Sequence, residues 1–272
     1  MPTIRLSPEL DLSYCVDDFT DPWTTPETVV FLHGIAESAQ AWRAWVPHFA
    51  RRYRVVRLDQ RGFGESTPMP ADFAWDIDVL VRDLALAADL LDLGTFHLVS
   101  AKLGGTVAMK FAADHPARLR TLSLVGTPPS PSASLGHVIP DWLDHLDQHG
   151  AASWARMTMG NRLGSAMPAA GTRWWTELMG ATSLSTLRGI IAMLPTCDVT
   201  ADLARIACPT LVVTTTGSGL GSVDQVRAWQ QRIPNSELVV FDRDSYHVAA
   251  SDPDLCAQTV VRFIDRAGVT RP

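Results

Sequence analysis

Six short apolar runs restrict what this chain can fold into: TVVFL (28–32), YRVVRL (53–58), FHLVSA (96–101), LRTLSLVG (119–126), PTLVVTT (209–215) and ELVVF (237–241). Each is hydrophobic almost without alternation, as a strand covered on both faces must be. Between several of them lie stretches with apolar residues three and four apart. WDIDVLVRDLALAADLLDL (75–93) and DLCAQTVVRFIDRA (254–267) read as amphipathic helices. Strands alternating with helices predict an α/β fold, a mostly parallel central sheet with flanking helices. Residues 3–17 alternate loosely between apolar and polar, which suits an opening antiparallel hairpin.

The rhythm breaks between about 129 and 200. Pro and Gly interrupt that segment, no strand-like run stands out, and it carries Trp142, Trp154, Trp174 and Trp175 with five methionines. We read residues 1–128 and 201–272 as the core and 129–200 as a helical cap inserted over the sheet. Its Trp and Met residues pack the cap onto the core, and the same side chains could roof a substrate pocket. A length of 272 residues suits one large domain or a core with such an insertion.

Composition excludes several functions. The formal net charge is −6 and no Lys/Arg run is present, so no electrostatic footprint for nucleic acid or an anionic membrane is visible. Cys15, Cys197, Cys208 and Cys256 lie far apart without a CxxC pair and read as structural thiols. His115, His137, His145 and His149 form no ligand-spaced set with carboxylates, so no metal and no cofactor is expected. No apolar run is long enough to span a bilayer, and MPTIRLSPEL lacks the apolar core of a secretory signal. A soluble, cytoplasmic protein is expected, with a homo-oligomer left open.

Four stretches then follow in a fixed order. FLHGIAES (31–38) puts His33-Gly34 after a strand, with Trp42 eight residues beyond Gly34. RLDQRGFGES (57–66) is an Asp-x-Arg-Gly-x-Gly-x-Ser turn after the next strand. LVSAKLGG (98–105) is strand, tight turn and helix, and DSYHVAASDP (244–253) places His247 shortly before the last helix. In order and spacing these motifs resemble the α/β-hydrolase superfamily over nearly the whole chain. The resemblance implies an eight-stranded, mostly parallel sheet, a helical cap after the sixth strand, and a triad in the order nucleophile, acid, histidine. It places Lys102 at the nucleophile position and His247 at the base position. The oxyanion donors it implies are the backbone N–H groups of Ile35 and Leu103. His33 would brace the oxyanion loop at the edge of the pocket, and Asp59 and Arg61 would be turn residues.

The departures from the family pattern matter as much. The G-x-S-x-G elbow reads S-A-K-L-G, with Ser100 small enough for the crowded position two before the nucleophile and Gly104 and Gly105 retained. After PTLVV the family shows Gly-x-x-Asp, whereas this chain has TTTGSGLGS, with Ser218 about where the acid belongs. Asp224, Asp242 and Asp244 are near in sequence, but none matches the pattern. The group that orients His247 is not identifiable from sequence.

Lysine cannot replace serine in acyl transfer, because the acyl-lysine would be an amide and turnover would stall. Three roles remain for Lys102: an imine with a carbonyl substrate, a cation holding a carboxylate or oxyanion, or proton transfer with His247 for direct attack by water. An ordinary lysine, with pKa about 10.4, is neutral only about once in 2,500 at pH 7. The helix N-terminus disfavours the cation by only about 0.3–1 kcal/mol, whereas desolvation can lower a lysine by roughly 3–5 units. Imine chemistry therefore requires that the cap close over Lys102 and that no carboxylate pair with it. The expected function is cleavage of a C–C, ester or lactone bond beside the carbonyl of a small, partly apolar compound. Lys102 and His247 are its catalytic candidates; Trp142, Trp154, Trp174, Trp175, His33 and Ser218 are its pocket candidates. The alternative is a fold reused, without catalysis, to bind a small molecule.

Overall fold

In the computed structural model, which describes residues 1–269, each of the six apolar runs is a strand. They are β3 (Thr28–Leu32), β4 (Arg54–Leu58), β5 (Phe96–Ala101), β6 (Leu119–Val125), β7 (Thr210–Thr215) and β8 (Ser236–Phe241), preceded by β1 (Thr3–Ser7) and β2 (Leu10–Asp17). Every residue of β3, β5 and β7 is buried, which is why these runs carry no polar alternation. The strand order is β1-β2-β4-β3-β5-β6-β7-β8. β2 runs antiparallel to β1 and to β4, and all pairs from β4 to β8 are parallel.

The helices in chain order are α1 (Val46–Phe49), α2 (Ile77–Leu90), α3 (Leu103–Asp114), α4 (Ser132–Leu135), α5 (Ile139–Leu163), α6 (Ala169–Gly180), α7 (Leu184–Met193), α8 (Val223–Gln230), α9 (Val248–Ser251) and α10 (Pro253–Val269). In α2 the Asp76 side chain caps the first turn, and Leu80, Val81, Leu84, Ala87 and Ala88 form the buried face. Helices α4 to α7 all fall between β6 and β7, the segment that carries no strand-like run. The longest of them, α5, is broken at Gly150, whose φ of 75° and ψ of 175° are open to a residue without Cβ.

The strand order reverses beside β3: β4 adds on one side of it and β5 on the other. In parallel sheets the crevice outside the carboxyl ends at such a reversal is the usual ligand position. The loops leaving β3 at Leu32 and β5 at Ala101 open at this point, and they carry HGIAES and the lysine elbow.

Candidate active site

Lys102 is the single residue between β5 and α3, with φ 52° and ψ −127°. That backbone costs a residue with Cβ about 1–3 kcal/mol and persists only where the surroundings over-determine it. They do here. A Cβ at Gly104 would stand 2.3 Å from the His33 carbonyl, and one at Gly105 would stand 2.1 Å from Thr127 Oγ1, so α3 packs against the neighbouring loops at backbone distance. Gly34 leaves room for the lysine itself, since a Cβ there would lie 2.5 Å from Lys102 Cε. Relief of this strain separates two truncations. Lys102→Gly is expected to be more stable than Lys102→Ala by about 1–2 kcal/mol, as read from urea denaturation. Equal stabilities would mean that the elbow is not strained.

The partner of Lys102 is Glu37, which the sequence reading passed over. Glu37 follows Ala36, whose φ of 59° turns the loop back on itself. One carboxylate oxygen, Oε2, accepts the backbone N–H of Gly34 at 2.9 Å. The other, Oε1, lies in ion-pair contact with Lys102 Nζ and 2.7 Å from His247 Nε2. A single buried oxygen thus joins the residues at the nucleophile and base positions, and Glu37 is the group that meets His247. It reaches the ring at Nε2, on the side of the elbow, whereas Nδ1 has no hydrogen-bond partner among the described residues. Among the described residues Ser218 makes no hydrogen bond to the ring; its Oγ accepts the backbone N–H of Leu220, and it lies outside the lining of the cavity beside Lys102.

The charges follow from burial and these contacts. Burial lowers the Lys102 pKa; the Glu37 carboxylate pulls it back up, Arg162 opposes, and the result is about 8. His247 is brought down to about 4, chiefly by burial, with Glu37 opposing and Lys102 assisting. Burial works against ionised Glu37, but His247 and Lys102 outweigh it and hold the carboxyl well below the ordinary range. At pH 7 the cluster is therefore a Lys102 ammonium, a Glu37 carboxylate and a neutral imidazole. The contacts to Oε1 are short but poorly aligned. Lys102 Nζ, Glu37 Oε1 and both His247 ring nitrogens have no well-directed hydrogen bond, although each is buried. Such a concentration of unsatisfied polar atoms is costly and marks a functional site more often than a structural one.

Pairing with Glu37 removes one of the conditions for imine chemistry. The amine is buried beneath the cap, but it faces a carboxylate and stays mostly protonated at neutral pH.

Lys102 borders a small cavity of about 30 Å³, lined also by Ile35, Leu103, Trp142, Trp154 and Arg162. Leu135, Trp142 and Tyr246 border both this cavity and an open cleft of about 760 Å³ that leads outward. The structure therefore places Lys102, both oxyanion-loop candidates, Trp142 and Trp154 together. It puts Trp175 against the His247 ring, with centroids 5.0 Å apart, and Trp174 under the Arg43 guanidinium, both outside the cavity lining. His33 is also outside it. Gln60 donates its backbone N–H to His33 Nε2 at 3.0 Å, and His33 Nδ1 lies 2.7 Å from the Gly34 carbonyl, so the ring braces the loop. Asp59 accepts the N–H groups of Ala39 and Glu65, and Arg61 pairs with Asp83, which makes both residues turn supports. No group of three His, Cys, Asp or Glu side chains among the described residues is arranged to hold a metal ion.

The His247 loop is tied to the cap at two points, one of them the Asp244 carboxylate, which accepts the backbone N–H of Ser165 at 2.9 Å, and the other the Arg162 carbonyl. The backbone N–H of His247 and the Ser245 hydroxyl both donate to the Arg162 carbonyl, each at 3.0 Å. Positioning of the ring thus depends on the end of α5.

A cap between β6 and β7, a strained elbow after β5 and a histidine after β8 together define the class, and sequence comparison agrees. A family model described as the alpha/beta hydrolase fold matches residues 27–253, and the chain belongs to that family. It is 27% identical over 248 residues to a pimeloyl-[acyl-carrier protein] methyl ester esterase of Aeromonas hydrophila, covering 87% of this chain and 94% of the relative. It is 25% identical over 248 residues to a putative carbamate hydrolase, RutD, of a Caulobacter species, covering 89% and 92%. Among solved structures, a thermophilic esterase from Thermogutta terrifontis superposes with a TM-score of 0.85 at 21% identity, covering 97% of each chain.

Proposed function

We propose that the protein is a hydrolase that cleaves the carbonyl–heteroatom bond of a small, partly apolar ester or carbamate by direct attack of water. No covalent intermediate forms on Lys102. The observation that carries this reading is the shared oxygen: Glu37 Oε1 touches both Lys102 Nζ and His247 Nε2. Similarity to an esterase and to a putative carbamate hydrolase supports the substrate class.

The cycle closes on these three residues. Water adds to the carbonyl carbon and gives its proton to the Glu37 carboxylate, which His247 supports through Nε2. The carbonyl oxygen takes up the negative charge facing the N–H groups of Ile35 and Leu103 and the Lys102 ammonium. As the tetrahedral species collapses, the bond to the leaving group breaks and its heteroatom takes a proton from Lys102. The proton on Glu37 then passes to Lys102 across their contact, restoring the resting state. An ammonium with pKa near 8 is a well-matched acid at neutral pH.

Hydrolysis of p-nitrophenyl acetate, p-nitrophenyl butanoate and p-nitrophenyl N-methylcarbamate tests the reading. Turnover is expected without an initial burst, with no acyl group on Lys102 in the mass spectrum of quenched enzyme. The rate should fall as pH rises through about 8, because deprotonation removes both the acid and the charge. An acyl-Lys102 peptide, or a rate that keeps rising through pH 9, would overturn the mechanism. Absence of turnover on all three esters would favour the binding-protein alternative.

A further inference from the structure

Among the described residues three cations are buried: Arg57, Lys102 and Arg162. Arg57 is paired with Asp17 and Lys102 with Glu37, whereas no carboxylate pairs with Arg162. Its Nε and Nη2 both donate to one neutral acceptor, Thr158 Oγ1, at 3.2 Å. Its other surroundings are neutral: the guanidinium carbon is 4.9 Å from the Trp154 ring and 5.8 Å from those of Trp142 and Tyr246, and the Tyr246 hydroxyl interacts with it as well. Cation–π contact stabilises such a charge, but by less than a well-placed counter-ion would.

Arg162 lines the same cavity as Lys102. Trp154, in that wall, carries a buried Nε1–H with no acceptor among the described residues. Lys102 and Glu37 cancel, so the cavity holds one uncompensated positive charge and unused N–H donors. We infer that Arg162 is a substrate-binding residue for a carboxylate: the compound hydrolysed is a monoanion whose carboxylate sits on the Arg162 guanidinium. This rests on the hydrolase reading for the word substrate, and on the structure alone for the anion site. A planar carboxylate suits the guanidinium fork, which can offer it two parallel N–H bonds. The inner cavity has room for little more than such a head group, so the rest of the molecule would extend past Leu135, Trp142 and Tyr246 into the outer cleft.

Calorimetric titration of the intact protein with butanoate and its neutral isostere butanamide tests the inference without catalysis. Butanoate is expected to bind the wild type more tightly than butanamide. Arg162→Met should weaken butanoate by about 10- to 100-fold and leave butanamide within about twofold. Since Arg162 packs among three rings, near-UV circular dichroism establishes whether that variant is folded. If it is not, Arg162→Lys decides: the loss of the fork should lower the butanoate-over-butanamide ratio several-fold. Equal wild-type binding of the two compounds, a folded Arg162→Met with undiminished butanoate affinity, or an unchanged ratio in Arg162→Lys would each overturn the assignment. Failure of the hydrolase reading would look different: butanoate binding intact, and no turnover either of the neutral esters or of mono-p-nitrophenyl succinate, an ester that carries the carboxylate.

Discussion

Glu37→Gln is expected to lower ester turnover by about 10²–10⁴-fold, the usual loss when a positioned proton acceptor is removed. It should also destabilise the fold by about 3 kcal/mol at pH 7, because truncating one member of a buried ion pair leaves the other charge uncompensated. The two effects have one cause. Without the carboxylate, nothing offsets the burial that lowers the Lys102 pKa, and the amine titrates below its wild-type value of about 8. A lysine whose folded pKa lies below its unfolded one binds fewer protons folded than unfolded between those two values. Stability from this group therefore rises with pH through that window. In Glu37→Gln the window opens at lower pH, so the stability deficit should shrink as pH rises toward 8. Urea denaturation at several pH values, beside ester kinetics, measures both quantities. A variant that keeps wild-type turnover and stability would remove Glu37 from the mechanism.

Lys102→Ser tests the other half of the cluster. Serine accepts the elbow position in the family, and the glycines that allow the turn are unchanged, so the variant should fold. It should nonetheless lose turnover by at least about 10²-fold and show no acyl-enzyme burst. To activate a serine, His247 must accept a proton at Nε2 while a carboxylate holds Nδ1–H. Here the carboxylate sits at Nε2, and Nδ1 has no partner among the described residues. A histidine left in the wrong tautomer costs a serine triad about 10⁴-fold. Ester kinetics with a thermal melt reads the result. Undiminished turnover in the serine variant would show that Lys102 is not the reacting group.

What was legible in the sequence was what hydrophobic pattern and glycine placement encode. The six apolar runs match β3 to β8 within a residue at each end, because strands buried on both faces have no reason to alternate. Gly104 and Gly105 marked the elbow because only small residues allow that backbone approach. Glu37 is not legible, although the HGIAES stretch that holds it stands out for its His and Gly. The family pattern points to an acid after β7 instead. The turn that returns a side chain onto its own loop, through Ala36 at positive φ, leaves no periodic trace. Arg162 was missed because an arginine near the end of a long helix reads as a solvated residue. Its burial among the Trp142, Trp154 and Tyr246 rings, which only the fold provides, shows that it turns inward. Trp174 and Trp175 illustrate the converse: aromatic content located the cap, but could not say which rings face the cavity and which face Arg43 or His247.

Lys102 is a buried ammonium governed by Glu37. The chain contains only two lysines, Lys102 and Lys110, so ¹⁵N-lysine labelling gives a two-signal spectrum with the Lys110→Arg variant as its assignment. The side-chain resonance of Lys102, followed against pH in wild type and in Glu37→Gln, is the most direct measurement. The midpoint is expected near 8 in the wild type and at lower pH in the variant. A midpoint at the ordinary lysine value of about 10.4, or one that Glu37→Gln leaves in place, would contradict it.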